Sequence, residues 1–250
     1  MYKTVQGKLP WHDREEWLFP KMDRNRMSAS FVYGPKDVND AMPWIDVLCT
    51  QHRTCIQAGG AVGIWPIRLA QLFDRVVTFE AHPVNYECLL FNTQDIENIE
   101  SIHAALGREP GRVSMCLPKS EKGNAGAYYV KPGDDVEQRT IDSLGCTNVD
   151  LIYLDIEGAE TDTLLGATET IAKCRPVIGL ENKKNCFWKR FGYKRSPVEM
   201  LIKDFGYQQI TSYHLDVILA PTEHIAALNE RVLVARGGDT EIVTKAPDAT

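Results

Sequence analysis

Several features are missing from this 250-residue chain, and each absence removes a class of protein. No CxxC pair occurs, and the seven cysteines are odd in number and scattered from Cys49 to Cys186. A zinc ribbon or a disulfide framework is thereby disfavoured, and a reducing, cytoplasmic compartment is expected. No apolar run reaches membrane-spanning length and the first residues hold no signal-peptide core, so no membrane association is expected. No segment repeats. Basic charge is not in excess: the net charge is −6, which argues against a surface that binds nucleic acid as a whole. What remains is 44% hydrophobic content, enough for the core of one large domain with appendages.

Residues 1–37 have no clear periodicity and read as an arm or lid, packed through Trp11, Trp17 and Phe19. Residues 38–221 form the candidate main domain and 222–250 a tail with one short helix. Helical spacing appears over 38–49, and a βα alternation follows. Strands are expected at 54–58, 75–80, 98–103, 150–155, 176–181, 207–212 and 214–219, with helices at 64–73, 83–92, 159–172 and 197–205. Short strands at 112–116, 126–130 and 136–140 interrupt that rhythm. The last two core strands are too close for a helix between them and must form a hairpin. The expectation is an α/β fold whose seven-stranded sheet is mostly parallel, with the last strand antiparallel and helices on both faces.

The segment Thr54-Cys-Ile-Gln-Ala-Gly-Gly-Ala-Val-Gly63 is a strand that runs into glycines and then a helix. Arg75-Val-Val-Thr-Phe-Glu80 follows, a second strand that ends in a carboxylate. The acid lies about twenty residues beyond the glycines, the separation of one βαβ unit able to hold a nucleoside. Glycines let backbone approach a ligand, and a carboxylate can accept from both ribose hydroxyls. Ala58, Gly60 and Gly63 nearly fit a dinucleotide loop. Gln57, Gly59 and Gly63 fit the loop of a methyltransferase equally well.

A second cluster separates these readings. Val149-Asp-Leu-Ile-Tyr-Leu-Asp155 is a buried-strand pattern, and Ile156-Glu-Gly-Ala-Glu160 continues it. Three acids thus gather at the carboxyl end of a strand, where open α/β sheets bind ligands. Taken in order, the glycine loop, Phe79-Glu-Ala-His-Pro83 with Asn85, Ala104-Ala-Leu-Gly107 and Thr140-Ile-Asp142 resemble the FkbM family of S-adenosylmethionine-dependent methyltransferases. So do Asp155-Ile-Glu157-Gly-Ala-Glu160, Leu165-Gly-Ala167, Arg175-Pro176 leading to Glu181, Gly206-Tyr207 and His214-Leu-Asp216.

The resemblance implies a class I methyltransferase fold with S-adenosylmethionine as cofactor. It also implies O-methylation, commonly of a sugar or related hydroxyl. Gln57, Gly59, Gly60, Gly63, Glu80, Asn85 and Asp155 would then hold the cofactor, with Glu80 on the ribose. Asp155, Glu157 and Glu181 are the candidate catalytic acids, and no metal is assigned. Two positions depart from the family loop: Gln57 stands where Asp is usual and Ala61 where Asn is usual. Asn85 is a candidate helix cap as well as an adenosine contact, Asp142 a candidate cap for a helix starting at Ser143, and Glu160 a helix-start acid.

The stretch from Asn182 to Arg195 carries Lys183, Lys184, Lys189, Arg190, Lys194 and Arg195 with four aromatics and no acid. Lys183, Trp188, Lys189 and Arg190 are candidate acceptor contacts, suited to a polar and even anionic small molecule or glycan. A nucleic-acid end is a less favoured partner. A solvated lid on aromatic anchors accounts for the same residues. Two other functions stay open. A nicotinamide-dependent oxidoreductase shares the βαβ unit but leaves Asp155 and Glu157 unexplained. A non-catalytic methyltransferase-like domain is consistent with the departures at 57 and 61.

Overall fold

The structure is a computed structural model, and it describes residues 1–24, 34–182, 187–227, 231–236 and 239–244. Its order follows from short buried runs that cannot stand alone. β1 (Tyr2–Gln6) and β2 (Glu16–Pro20) form an antiparallel hairpin. α1 (Gly34–Leu48), β3 (Thr54–Ala58), α2 (Ile64–Leu69), β4 (Arg75–Phe79), α3 (Pro83–Thr93) and β5 (Ile99–Ile102) follow. Next come β6 (Ala105–Leu106), β7 (Gly111–Cys116), β8 (Tyr129–Pro132) and β9 (Val136–Arg139). The chain continues through β10 (Val149–Leu154), α4 (Glu160–Leu165), α5 (Thr168–Cys174), β11 (Val177–Glu181) and α6 (Pro197–Phe205). It ends with β12 (Tyr207–Tyr213), β13 (Asp216–Pro221), α7 (Thr222–Ala227), β14 (Arg231–Arg236) and β15 (Asp239–Thr244).

Every residue of β3 is buried, as a central parallel strand requires. The seven-stranded sheet has the order β12-β13-β11-β10-β3-β4-β5. β5, β4, β3, β10 and β11 pair in parallel, while β13 runs antiparallel to both β11 and β12. Two apolar layers flank it. Ile45, Ile67 and Cys88 bring α1, α2 and α3 to one face, and Leu164, Ile171 and Leu201 bring α4, α5 and α6 to the other. The strand order reverses between β3 and β10, the switch point at which such sheets open a crevice. A second sheet, β6-β9-β7-β8, is inserted between β5 and β10 and stands beside that crevice.

Five local expectations change. The N-terminal segment contains a hairpin, and Trp17 and Phe19 are fully buried. Asn92 of α3 holds it, accepting from Leu18 N at 2.9 Å and donating to Leu18 O at 3.0 Å. The helix expected over 64–73 is short, and the one over 159–172 is broken into α4 and α5. At that break Gly166 lies against the Gly107 backbone, with no room for a side chain. The strand expected at 126–130 is shifted to β8. The tail carries the expected helix, α7, and then the unanticipated pair β14 and β15.

Candidate active site

The chain after β3 turns sharply because its backbone is caught by the next strand. Gly59 N and Gly60 N both donate to Phe79 O, at 3.0 and 2.9 Å. Gly59 has φ +84°, and a Cβ there would run into the carbonyl of Asp155. Ala61 has φ 47°, a left-handed conformation that Asn tolerates better than Ala, so the usual Asn of the family loop has a conformational reason.

Glu80 follows β4 and turns into this loop. Its Oε2 accepts from Ala61 N at 2.7 Å and its Oε1 from His82 N at 2.7 Å. Burial pushes its pKa up to about 7, against the pull of these backbone N–H groups. His82 caps α3 by accepting from Asn85 N, and burial lowers its pKa to about 4, which keeps the ring neutral. Asn85 is therefore not the cap. Its Nδ2 donates to Ala125 O at 2.9 Å, whereas Oδ1 is buried without a partner.

A cavity of about 250 Å³ connects these parts at the carboxyl ends of β3, β4 and β10. Gly59, Gly60, Glu80, Asn85 and Asp155 all line it. Trp65 and Val38 stand on its wall, as do Met115, Tyr128 and Val130 of the inserted sheet and its connections. These last residues escaped the sequence reading, which had no signal for which face of the insertion meets the crevice.

Two sequence-assigned cofactor residues are off this wall. Gln57 is fully buried between strands: Nε2 donates to Ala58 O and Gly59 O, each at 3.1 Å, and Oε1 accepts from Thr78 Oγ1 at 2.5 Å. It braces the loop from behind, and both carbonyls need an N–H donor that a carboxylate lacks. Gly63 instead begins α2 with φ 98° and packs under Thr93 and Leu89.

The catalytic candidates cluster. One carboxylate oxygen from each of Asp155, Glu157 and Glu181 lies within 4.8 Å of the others. Oxygens so spaced can share a proton or converge on a cation. Only Asp155 of the three lines the cavity. Glu160 is buried, accepts from Ile156 N and Gly158 N at 3.2 Å each, and so ties down the loop that carries Glu157. Burial raises its pKa to about 7. Asp142 does not cap the turn at Ser143, where Thr140 Oγ1 accepts from Ser143 N. Its carboxylate caps α5 instead, accepting from Glu169 N at 3.1 Å and Thr170 N at 2.8 Å.

Among its described residues, the basic segment contributes none to the cavity wall. Lys183 lies outside the described residues, as does the side chain of Arg190. Lys189 Nζ sits over the Trp188 ring at 5.3 Å. Further on, Tyr193 OH donates to Asp162 Oδ1 at 2.6 Å and accepts from Arg108 Nη2 at 2.8 Å. Arg175 holds the fold away from the cavity, donating to Phe205 O and pairing with Glu223. Among the described residues no helix is long and apolar enough to cross a membrane.

Comparison by sequence with curated proteins returns no match. Among solved structures, a methyltransferase FkbM from Methylobacillus flagellatus KT aligns at a TM-score of 0.45 and 18% identity, over 66% of this chain and 42% of that one. The chain thus spans less than half of that protein's length. The N-methyltransferase NodS from Bradyrhizobium japonicum WM9 aligns at 0.46 and 10% identity, covering 77% of this chain and 96% of that one. A SAM dependent methyltransferase from Aquifex aeolicus aligns at 0.44 and 11% identity, over 79% and 93%. The profile of the Methyltransferase FkbM domain matches residues 72–219, more than half of the chain, from just before β4 into β13, and the chain belongs to that family.

Proposed function

We propose that the cavity takes S-adenosylmethionine and that the protein transfers its methyl group to a hydroxyl oxygen of a sugar or similar polar acceptor. The observation that carries this reading is that Glu80 and Asp155, from different strands, share one cavity with Gly59 and Gly60. The residues fit the cofactor. Each Glu80 oxygen accepts one backbone N–H and keeps capacity for a ribose hydroxyl, and Asn85 Oδ1 stands without a partner at the wall.

When bound, the cofactor supplies a methyl group already activated on a sulfonium. The protein's share is to align, to exclude water and to manage one proton. Gly59 and Gly60 admit the amino-acid portion close to backbone, and Glu80 grips the ribose. Asp155 faces the same space from β10 and orients either the ammonium or the acceptor hydroxyl. The acceptor must lose its proton, and Asp155, Glu157 and Glu181 are the groups within reach of that end. A positioned base contributes about 10²–10⁴-fold. The displacement itself calls for no metal.

The three acids concentrate negative charge beside the reacting end, which favours a neutral polyhydroxyl acceptor over an anionic one. Trp188 and Lys189 remain candidates for contacts outside the cavity. Calorimetry with S-adenosylhomocysteine and with NADH tests the cofactor, and methyl-labelled cofactor with fractionated host extract tests the transfer. Binding of NADH alone would return the chain to the oxidoreductase class. Binding of neither by a folded protein would make it a non-catalytic member of its family.

A further inference from the structure

Trp65 lies in the first turn of α2 and stands half-buried on the cavity wall. Its ring stacks on Tyr153 at 4.2 Å between centroids, tilted by 30°. Tyr153 is two residues before Asp155 on β10, so this stack marks the Asp155 end of the cavity. The Glu80 end has a stack of its own, Tyr128 on His82.

Tyr153 is fully buried and lies across β11, where a Cβ on its neighbour Gly179 would run into the ring. Its OH donates to Asp216 Oδ2 of β13 at 2.8 Å. With that one proton committed, it accepts from Tyr213 OH at 3.1 Å. A glycine beneath the ring and a carboxylate beyond it thus fix the surface on which Trp65 rests. Asp216 is also the register partner of Glu181, which places the two side chains on one face of the sheet. The aromatic shelf therefore adjoins the acids Asp155, Glu157 and Glu181, whose oxygens lie within 4.8 Å of one another.

These neighbours supply the two halves of a sugar site. The face of an indole is negative and attracts the partly positive C–H groups on one side of a pyranose ring. Carboxylates accept from its hydroxyls. A Trp offers large contact area with only two torsions to hold.

Resting on the proposed methyl transfer, we infer that Trp65 is the platform for the acceptor: a neutral pyranose stacks its C–H face on the indole and turns a hydroxyl to Asp155. Tyr153 and Asp216 are positioning residues that keep the platform level.

The test is ligand-observed NMR titration of the full chain, first with S-adenosylhomocysteine and then, in its presence, with the methyl glycosides of glucose, galactose, mannose and rhamnose at tens of millimolar. At least one glycoside should bind, with saturation transfer strongest at the C–H protons of one ring face. Trp65→Ala should weaken that glycoside at least about tenfold while S-adenosylhomocysteine affinity changes by less than about threefold, and Trp65→Phe should recover part of the loss. Asp216→Ala should weaken the sugar several-fold, and Asp216→Asn, whose amide oxygen still accepts from Tyr153 OH, should restore it. Tyr153→Phe keeps the ring, removes the same bond and should repeat the Asp216→Ala loss even where that variant fails to fold. Binding of S-adenosylhomocysteine with none of the four glycosides, or a glycoside held equally by Trp65→Ala, would overturn the platform and leave the cofactor assignment standing. Wild-type sugar affinity in Asp216→Ala or Tyr153→Phe would overturn the positioning role. A glycoside bound by protein that refuses S-adenosylhomocysteine would keep the platform and overturn the cofactor, and binding of neither by folded protein would overturn both.

Discussion

Gly59 lies directly against the main-chain carbonyl of Asp155, so that the end of β3 and the end of β10 meet backbone to backbone. Asp155 N closes the same junction by donating to Ala58 O at 3.0 Å. The acid at the reacting end is therefore held by the glycine loop. Gly59→Ala adds a Cβ at φ +84° and pushes on Asp155 at once. A left-handed Ala costs about 1–2 kcal/mol and overpacking about 1–3 kcal/mol more. Urea denaturation should show that loss together with weakened S-adenosylhomocysteine binding. Gly111→Ala, where a Cβ meets nothing within 4 Å, is the control and should be near neutral.

Ala61 gives the opposite sign. Its φ of 47° is one that Gly adopts freely and Asn tolerates. Ala61→Gly should raise stability by about 0.5–1 kcal/mol, and Ala61→Asn by a smaller amount, read as a shift in urea midpoint at unchanged m. The backbone N–H that serves Glu80 survives in both. A destabilised Ala61→Gly would refute the strain argument.

The parallel core was legible because buried parallel strands are short, largely apolar runs bounded by glycines and acids, as at β3, β4 and β10. The carboxylates at strand ends were legible for the same reason, since strand direction alone sends Glu80 and Asp155 to one edge. Partners distant in sequence were not. Asp142 precedes a short turn and looks like its cap, yet it serves α5, more than twenty residues later. Gln57 looks like a ligand contact, but its neighbour Thr78 on β4 takes its amide oxygen. Tyr128 and Met115 reach the cavity only because the inserted sheet folds back over it. The hairpin of β1 and β2 has strands of five residues each, too short to declare itself before α3 is there to receive it.

Asp142 offers a direct check on that long-range cap. Its carboxylate accepts from two backbone N–H groups and from Thr170 Oγ1 at the first turn of α5. Asp142→Ala should cost about 1–2 kcal/mol, the range for loss of an N-cap, with ligand binding retained. Asp142→Asn should recover part of it. A neutral Asp142→Ala in thermal denaturation would contradict the assignment.

Glu80 makes cofactor binding depend on pH. Its pKa near 7 lies above the ordinary value of 4.5, so without ligand the buried group favours the folded state most when protonated. That contribution is full below about 4.5 and is lost as pH rises through 7. The ribose needs the reverse, since two hydroxyl donors favour the carboxylate. Affinity for S-adenosylhomocysteine should therefore fall as pH drops below about 7, by up to about tenfold per unit, and binding near pH 7 should release protons. Calorimetry in buffers of different ionisation enthalpy measures both. Flat affinity from about pH 6 to 8 would separate Glu80 from the ribose.

The acid that takes the acceptor proton should be identifiable from the cluster by separating binding from turnover. Asp155 lines the cavity, whereas Glu157 and Glu181 do not, though one oxygen of each lies within 4.8 Å of one of Asp155's. Asp155→Asn should thus disturb both cofactor affinity and kcat. Glu157→Gln and Glu181→Gln should leave S-adenosylhomocysteine binding near wild type. Whichever of the three is the base should lose about 10²–10⁴-fold in kcat and flatten the acid limb of the pH–rate profile. Glu160→Ala frees Ile156 N and Gly158 N, and so loosens the loop that carries Glu157. Its defect should appear in stability as well as rate, which distinguishes it from a proton acceptor. Wild-type rates in all three acid variants, measured with an acceptor that the wild-type protein methylates, would move the proton transfer away from this cluster.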